Sequence, residues 1–225
     1  MNSVFVELGG LGEVALSITH HARRPLATDE PDDGATAWES ALIAVTDDEV
    51  EHRVAHAETF VIHASRLGGW SILDVLDEIS RDLASYTELF DDDGEIAAEF
   101  VDSYGGGLIV ADRVTVDPAY RGRGLGPLLL AHALADLGAG CELAVCTPAP
   151  FEQPTGHDFD GGQQVLTDAV AAQRWAQRQE ELRALWSRLG FERFRGTDIY
   201  TLELFLPTLE EALAQITDSV YGELD

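Results

Sequence analysis

The chain contains no lysine. Every one of its 14 basic residues is an arginine, set against 41 Asp and Glu, for a net charge of −27. A surface of that sign repels phosphate backbones and anionic lipid, so neither nucleic acid nor membrane is expected among its partners. It suits a cationic small molecule or a basic protein, although such a charge also serves plain solubility. No run approaches the ~20 apolar residues that a bilayer-spanning helix needs. The start, MNSVFVELGG, lacks the basic stretch and apolar core of a secretory signal. Cysteine is nearly absent as well. Cys141 and Cys146 are five apart; if they share one strand, that odd spacing puts them on opposite faces and disfavours a bond between them. Four intervening residues match no zinc pattern. Reduced, buried thiols in a cytoplasmic protein are the expectation. The histidines form no helical metal pair. His52 and His56 fall in a strand-like segment, where even spacing puts both on one face, so no metal is expected. No G-x-S-x-G elbow is present.

What remains is a chain of 225 residues, 45% hydrophobic, ample for a buried core. Residues 3–8 and 13–19 flank Gly9, Gly10 and Gly12 and predict a hairpin. Residues 22–37, with Pro25, Pro31 and Gly34, read as a mobile acidic loop. Ala41–Thr46 and Arg53–His63 predict a second antiparallel pair. The period then changes: Ile72, Leu76, Ile79, Leu83, Tyr86 and Phe90 recur at helical steps over 71–90, with Ser71 as N-cap. Further on come a strand at 108–116, a loop at 117–124, a helix at 125–137 and a strand at 141–147. A Pro- and Gly-rich loop at 151–162, a helix at 163–189 and strands at 191–194 and 198–205 complete the pattern. A last helix starts at Thr208, with Glu211 completing a capping box. No internal repeat is found, and one domain over 1–225 is expected.

Chemistry is concentrated in Val114-Thr115-Val116-Asp117-Pro118-Ala119-Tyr120-Arg121-Gly122-Arg123-Gly124-Leu125-Gly126. A strand delivers the chain to a turn, alternating glycines leave the backbone bare, and a helix begins at once. Several N–H groups therefore gather at the positive end of a helix dipole, which suits a pyrophosphate. Arg121 and Arg123 add charge locally. A Walker loop needs a Lys, which the chain lacks. A Rossmann fingerprint needs G-x-G-x-x-G, which the alternation of Gly122, Gly124 and Gly126 breaks.

The segment Arg121-Gly122-Arg123-Gly124-Leu125-Gly126, after Val116-Asp117-Pro118, resembles the phosphate loop of the GCN5-related N-acetyltransferase family. Leu185-Trp186-Ser187-Arg188-Leu189-Gly190-Phe191 resembles the end of that family's later helix, and the likeness covers residues 107–205. It implies a mixed α/β fold: a mostly antiparallel central sheet flanked by helices, with one parallel pair of strands that splay apart. Residues 1–106 diverge, and a helix near 71–90 would be an insertion. The resemblance further implies acetyl-CoA as cosubstrate and an amine, small or peptidic, as acceptor. The amides from about Arg123 to Gly126 (Arg123, Gly124, Leu125, Gly126) would hold the pyrophosphate, Arg121 and Gly122 would belong to the same cofactor-binding loop, and the main chain of Val114 and Val116 would pair with the pantetheine arm.

Asp112, placed by alternation on the face of Val110, Val114 and Val116, is the candidate base; an ion pair with an Arg is its alternative role. The family's usual Tyr is replaced by Trp186, whose indole donates a hydrogen bond but is no acid. The departing thiolate would take its proton from water, from Tyr200 or from Ser187, and Trp186 is either a pocket wall or core. A non-catalytic acetyl-CoA sensor is the alternative function. The acceptor and the oligomeric state, a homodimer being one option, stay open.

Overall fold

The computed structural model describes residues 5–23, 35–67, 71–79, 83–91, 96–97, 100, 106–150 and 169–222. The strands are β1 (Phe5–Glu7), β2 (Glu13–Arg23), β3 (Ala35–Val45), β4 (Glu51–His63), β5 (Gly107–Val116), β6 (Leu143–Cys146), β7 (Glu192–Arg193) and β8 (Tyr200–Glu203). The helices are α1 (Ile72–Ile79), α2 (Leu125–Leu137), α3 (Ala169–Ser187) and α4 (Thr208–Tyr221). They build one mixed sheet in the order β1-β2-β3-β4-β5-β6-β8-β7. Every pairing is antiparallel except β5 with β6. That is the fold class the sequence predicts. Among the described residues no helix is long and apolar enough to cross a membrane.

Several local expectations are corrected. The helix expected over 71–90 is divided: α1 stops at Ile79, and Leu83–Leu89 forms 3-10 turns. Thr208 is the first residue of α4, not its cap, and Pro207 precedes it without a side-chain cap. Strand β3 starts at Ala35, inside the stretch read as a loop, whose residues 24–34 lie outside the described residues. So does the loop at 151–162. A register shift opposite Leu42 and Ile43 inserts Val54 into β4. His52 therefore shares the face of Ala44 while His56 pairs with Ala41 on the other, so the two histidines part.

Helix α2 explains how the sheet is covered. Its sequence, LGPLLLAHALADL, is apolar nearly all round, and residues 125–131 are buried throughout. A helix of that kind needs cover on two sides. It lies on the sheet and carries α4 on its back. The end of α3 packs on the same face through Trp186 and Leu189, while α1 and Tyr86 pack on the opposite one. The two thiols are free and buried. Cys141 precedes β6, and both thiols belong to the cluster around Trp186 and Tyr200. Burial pushes the Cys141 thiol up to about 12, which makes it a poor nucleophile.

The polar residues of α2, His132 and Asp136, face the sheet's edge. Asp136 Oδ2 lies 3.1 Å from His20 Nε2, and His20 Nδ1 lies 2.7 Å from Ser40 Oγ. Ser40 is fully buried and lines neither cavity described below. The array ties β2 and β3 to α2; it offers no accessible nucleophile. Burial lowers the pKa of His132, with Asp136 opposing and His20 reinforcing the shift. A folded-state pKa held below the unfolded value of ~6.5 gives stability present above that pH and lost as pH falls. The melting temperature should therefore drop between pH 7 and 5 by more in the wild type than in His132→Gln. Equal drops in the two proteins would refute this.

Candidate functional site

The predicted phosphate loop is built as the residue types demand. Asp117 N–H donates to the carbonyl of Val54 at 3.0 Å, and its side chain accepts from Ala119 N–H at 2.9 Å, opening the 3-10 turn Pro118–Tyr120. Gly122 and Gly124 then take φ of 79° and 74°, the left-handed region that side chains resist. Gly124 caps α2, and the first helical bond runs from Leu128 N–H to Gly124 O at 3.0 Å. Among the described residues, no N–H from Gly122 to Gly126 meets an acceptor. The orphan donors of a helix start are thus left together.

They open onto a cavity of about 920 Å³, a size typical of small-molecule sites. Its walls are Val114 and Val116 of β5, the loop itself, Trp186 of α3, the strand end Val6–Leu8 and the outer turns of α4 (Gln215, Ile216, Ser219, Val220). The β1 and α4 walls are contributions that motif reasoning misses. No local signal marks them, because they reach the loop only through the tertiary fold. A second cavity, of about 250 Å³, is lined chiefly by Leu16, Ile18, Leu42 and Leu128 beside His132.

The two loop arginines are engaged within the chain. Arg123 Nη1 donates to Glu7 O at 2.9 Å, tying the first hairpin to the loop. Arg121 Nε donates to Val116 O at 3.1 Å. Since Asp117 N–H points to β4, the carbonyl of Val116 points off the other edge of β5, the edge on which a pantetheine arm is expected. In this structure that carbonyl is occupied by Arg121, and Val114, half-buried, lines the cavity.

The ladder of the parallel pair covers Leu108–Val110 against Leu143–Val145; β6 ends at Cys146, whereas β5 runs on to Val116. Strand β6 follows β8 as far as the pair Cys146 and Tyr200. At this fork the expectation for Asp112 needs correcting. The register of β4 with β5 slips between Thr59 opposite Ala111 and Glu58 opposite Arg113, leaving Asp112 as a bulge. The bulge reverses the strand's phase. Val110 faces α1, whereas Val114 and Val116 face α2, so Asp112 does not share one face with all three. It is exposed, and its charge acts on the Tyr86 phenol. Tyr200 is buried at 6% exposure in the cluster that contains Trp186, and it does not line the cavity; Trp186 does.

One group of possible metal ligands stands out among the described residues: Glu39, His56 and Glu58, with ligand atoms within 4.8 Å of one another. Glu39 pairs with Arg23, and Glu58 lies opposite Arg113. The row balances its own charge as a cross-strand ladder.

No family model matches the chain, and no curated protein does. Among solved structures, one described as the crystal structure of the KacTA–DNA complex matches at 12% identity and a TM-score of 0.42, covering 88% of this chain and 99% of that one. A likeness that slight carries no functional argument. It does correct one expectation: the exclusion of nucleic acid does not stand, because the matched structure is a complex with DNA. The physical reason is that net charge sums over the whole surface and does not forbid a local cationic patch.

Proposed function

We propose that the protein is an acyltransferase of the GCN5-related type, taking acetyl groups from acetyl-CoA to an amine. The observation that carries the reading is the row of N–H groups from Gly122 to Gly126, which meet no acceptor among the described residues and open on a cavity walled by Val114 and Val116 of β5 and by Trp186. When bound, acetyl-CoA would supply the activated acyl group as a thioester.

The chain's own residues have definable tasks. The amides of Gly122 to Gly126 and the α2 dipole hold the diphosphate. No atom lies within 4 Å of where a Cβ on Gly122 would stand, so that approach is open. Gly126 allows α2 to start close against β5, since a Cβ there would meet Val116 Cγ2 at 3.2 Å and Val114 Cγ1 at 3.6 Å. Val114 offers main-chain groups to the pantetheine arm, and Arg121 must release the Val116 carbonyl for the pairing to extend. Trp186 walls the acyl end. Asp112, exposed at the bulge, is the proposed base for the acceptor amine.

Calorimetry with CoA and free-thiol release with acetyl-CoA over a panel of amines test the reading together. Heat in the micromolar range plus thiol release supports it. Heat without release for any amine points to a sensor, in keeping with Trp186 where the family has Tyr. Absence of CoA heat refutes both.

A further inference from the structure

We propose that Arg188 binds a carboxylate on the acceptor, so that the molecule receiving the acyl group is an amine that also carries an acid group, as a free amino acid does. This rests on the acyl-transfer reading above and adds to it the chemical class of the acceptor. An acyl chain ending in a carboxylate offers the same group from the other side of the reaction, and the experiment below separates the two.

The cavity is sorted by charge against the rest of the chain. Of 41 acidic residues in the sequence, only Glu7 is found among the described residues that line it. Helix α4 shows the sorting at close range. It turns Gln215, Ile216, Ser219 and Val220 to the cavity, while Glu210, Glu211 and Asp218 are exposed off that stripe. Three arginines line the same space: Arg121, Arg123 and Arg188. The first two are engaged by the carbonyls of Val116 and Glu7. Arg188 makes no hydrogen bond or ion pair among the described residues, whereas Arg183 and Arg193 on either side of it both pair with Asp198. One guanidinium is thus left uncommitted in the cavity wall of a strongly acidic chain.

Its backbone is fixed. Leu189 N–H donates to Trp186 O at 2.9 Å and Gly190 N–H to Ser187 O at 3.1 Å, and Leu189 and Phe191 are buried. The negative end of the α3 dipole favours a cation here. That accounts for the charge, but not for its place in the cavity wall.

Helix α4 shows which end of the cavity this is. Its first residue, Thr208, stands against Gly190, and Val220 stands against Gly124 of the loop. At 1.5 Å per residue those two contacts are about 18 Å apart along the helix. Arg188 is two residues from both Gly190 and Trp186, so it belongs to the end away from the loop amides. A diphosphate, with the ribose phosphate next to it, is held at the loop. What reaches Arg188 is the acyl end of the cofactor and the molecule that reacts with it.

A free guanidinium offers a carboxylate two parallel charge-assisted hydrogen bonds, which orient as well as bind. A small acceptor held by its acid group would turn its amine toward the thioester carbonyl. The amine nitrogen forms the C–N bond as the C–S bond breaks. The amine's proton passes to the proposed base Asp112, the departing thiolate takes a proton from water, and the carboxylate is unchanged. A cationic acceptor, which the overall charge suits, meets local repulsion here.

Rates with acetyl-CoA over the common amino acids and their carboxamides test this, because the amide keeps the amine and loses the charge. Wild type should prefer the acids in kcat/KM. Arg188→Gln should raise KM for the acids roughly 10- to 100-fold, the size of a lost hydrogen bond to a charged group, and leave the carboxamides within about twofold. Arg188→Lys keeps the charge without the fork and should recover only part of the loss. CoA affinity and melting temperature of Arg188→Gln should stay close to wild type, since the side chain is exposed. Equal use of acids and carboxamides by the wild type overturns the proposal. So does a fall in CoA affinity that dephospho-CoA does not share, which would give Arg188 to the ribose phosphate. A loss confined to succinyl-CoA with a neutral amine would put the carboxylate on the acyl chain and overturn the acceptor class. Wild type that binds CoA yet acylates neither series also overturns that class while the cofactor reading stands; absence of CoA heat overturns both.

Discussion

Gly122→Asp is expected to remove measurable CoA binding while the protein still melts close to the wild-type temperature. Gly122 is exposed at φ 79°, and a Cβ there would meet nothing within 4 Å. Aspartate tolerates left-handed backbone better than most side chains, so the fold loses little. The new carboxylate would stand where the diphosphate is to be held. One pair of like charges at 4 Å costs about 1 kcal/mol in water and about 4 kcal/mol near a protein surface, which is roughly a 5- to 1000-fold loss of affinity. Gly122→Asn shares shape and backbone tolerance without the charge, so it should lose far less. Added salt should restore part of the binding of the aspartate variant only. Calorimetry on the three proteins decides the matter: wild-type affinity in Gly122→Asp would place the diphosphate elsewhere. Gly124 is a poorer test, because a Cβ there would also press Val220 of α4 at 3.1 Å and confound binding with stability.

The second large effect concerns stability. Gly190→Ala should lower the melting temperature by about 5–15 °C, from a loss of roughly 2–5 kcal/mol. Helix α3 ends in a Schellman pair: Phe191 N–H to Trp186 O at 3.2 Å and Gly190 N–H to Ser187 O at 3.1 Å. Gly190 takes φ 93°, and an added Cβ would stand 2.4 Å from Thr208 Cγ2 and 3.2 Å from Leu202 Cδ1. Its neighbours Leu189 and Phe191 are buried in the core, so the turn cannot move aside. Thr208→Ser removes the nearest methyl and should recover part of the loss in the double variant. A single variant that melts within about 2 °C of wild type would refute the account.

Legibility in the sequence followed the range of the forces involved. The loop and the helix after it were readable because glycine spacing, Pro118 and the apolar run from Leu125 act locally; α2 spans the predicted residues 125–137. The same holds for the end of α3 at Gly190. The bulge at Asp112 was not readable, because alternation assumes a regular ladder and nothing in Ala111-Asp112-Arg113 marks the slip. Tyr86 is a similar case. Its helical spacing to Leu83 and Phe90 suggests core packing, and only the sheet brings Thr147 to its hydroxyl. Arg121 was read as a phosphate ligand from its charge. Its length and the open edge of β5 let it reach the Val116 carbonyl instead.

The walling of the cavity by α4 bears on biosynthesis. Gln215, Ile216, Ser219 and Val220 follow in the chain every other residue that lines it. On the ribosome the loop and α2 therefore emerge and can fold while one side of the chamber is still missing. A nascent chain would offer its bare amide groups to any passing anion, and the arrival of the last helix turns that open shelf into a walled cleft.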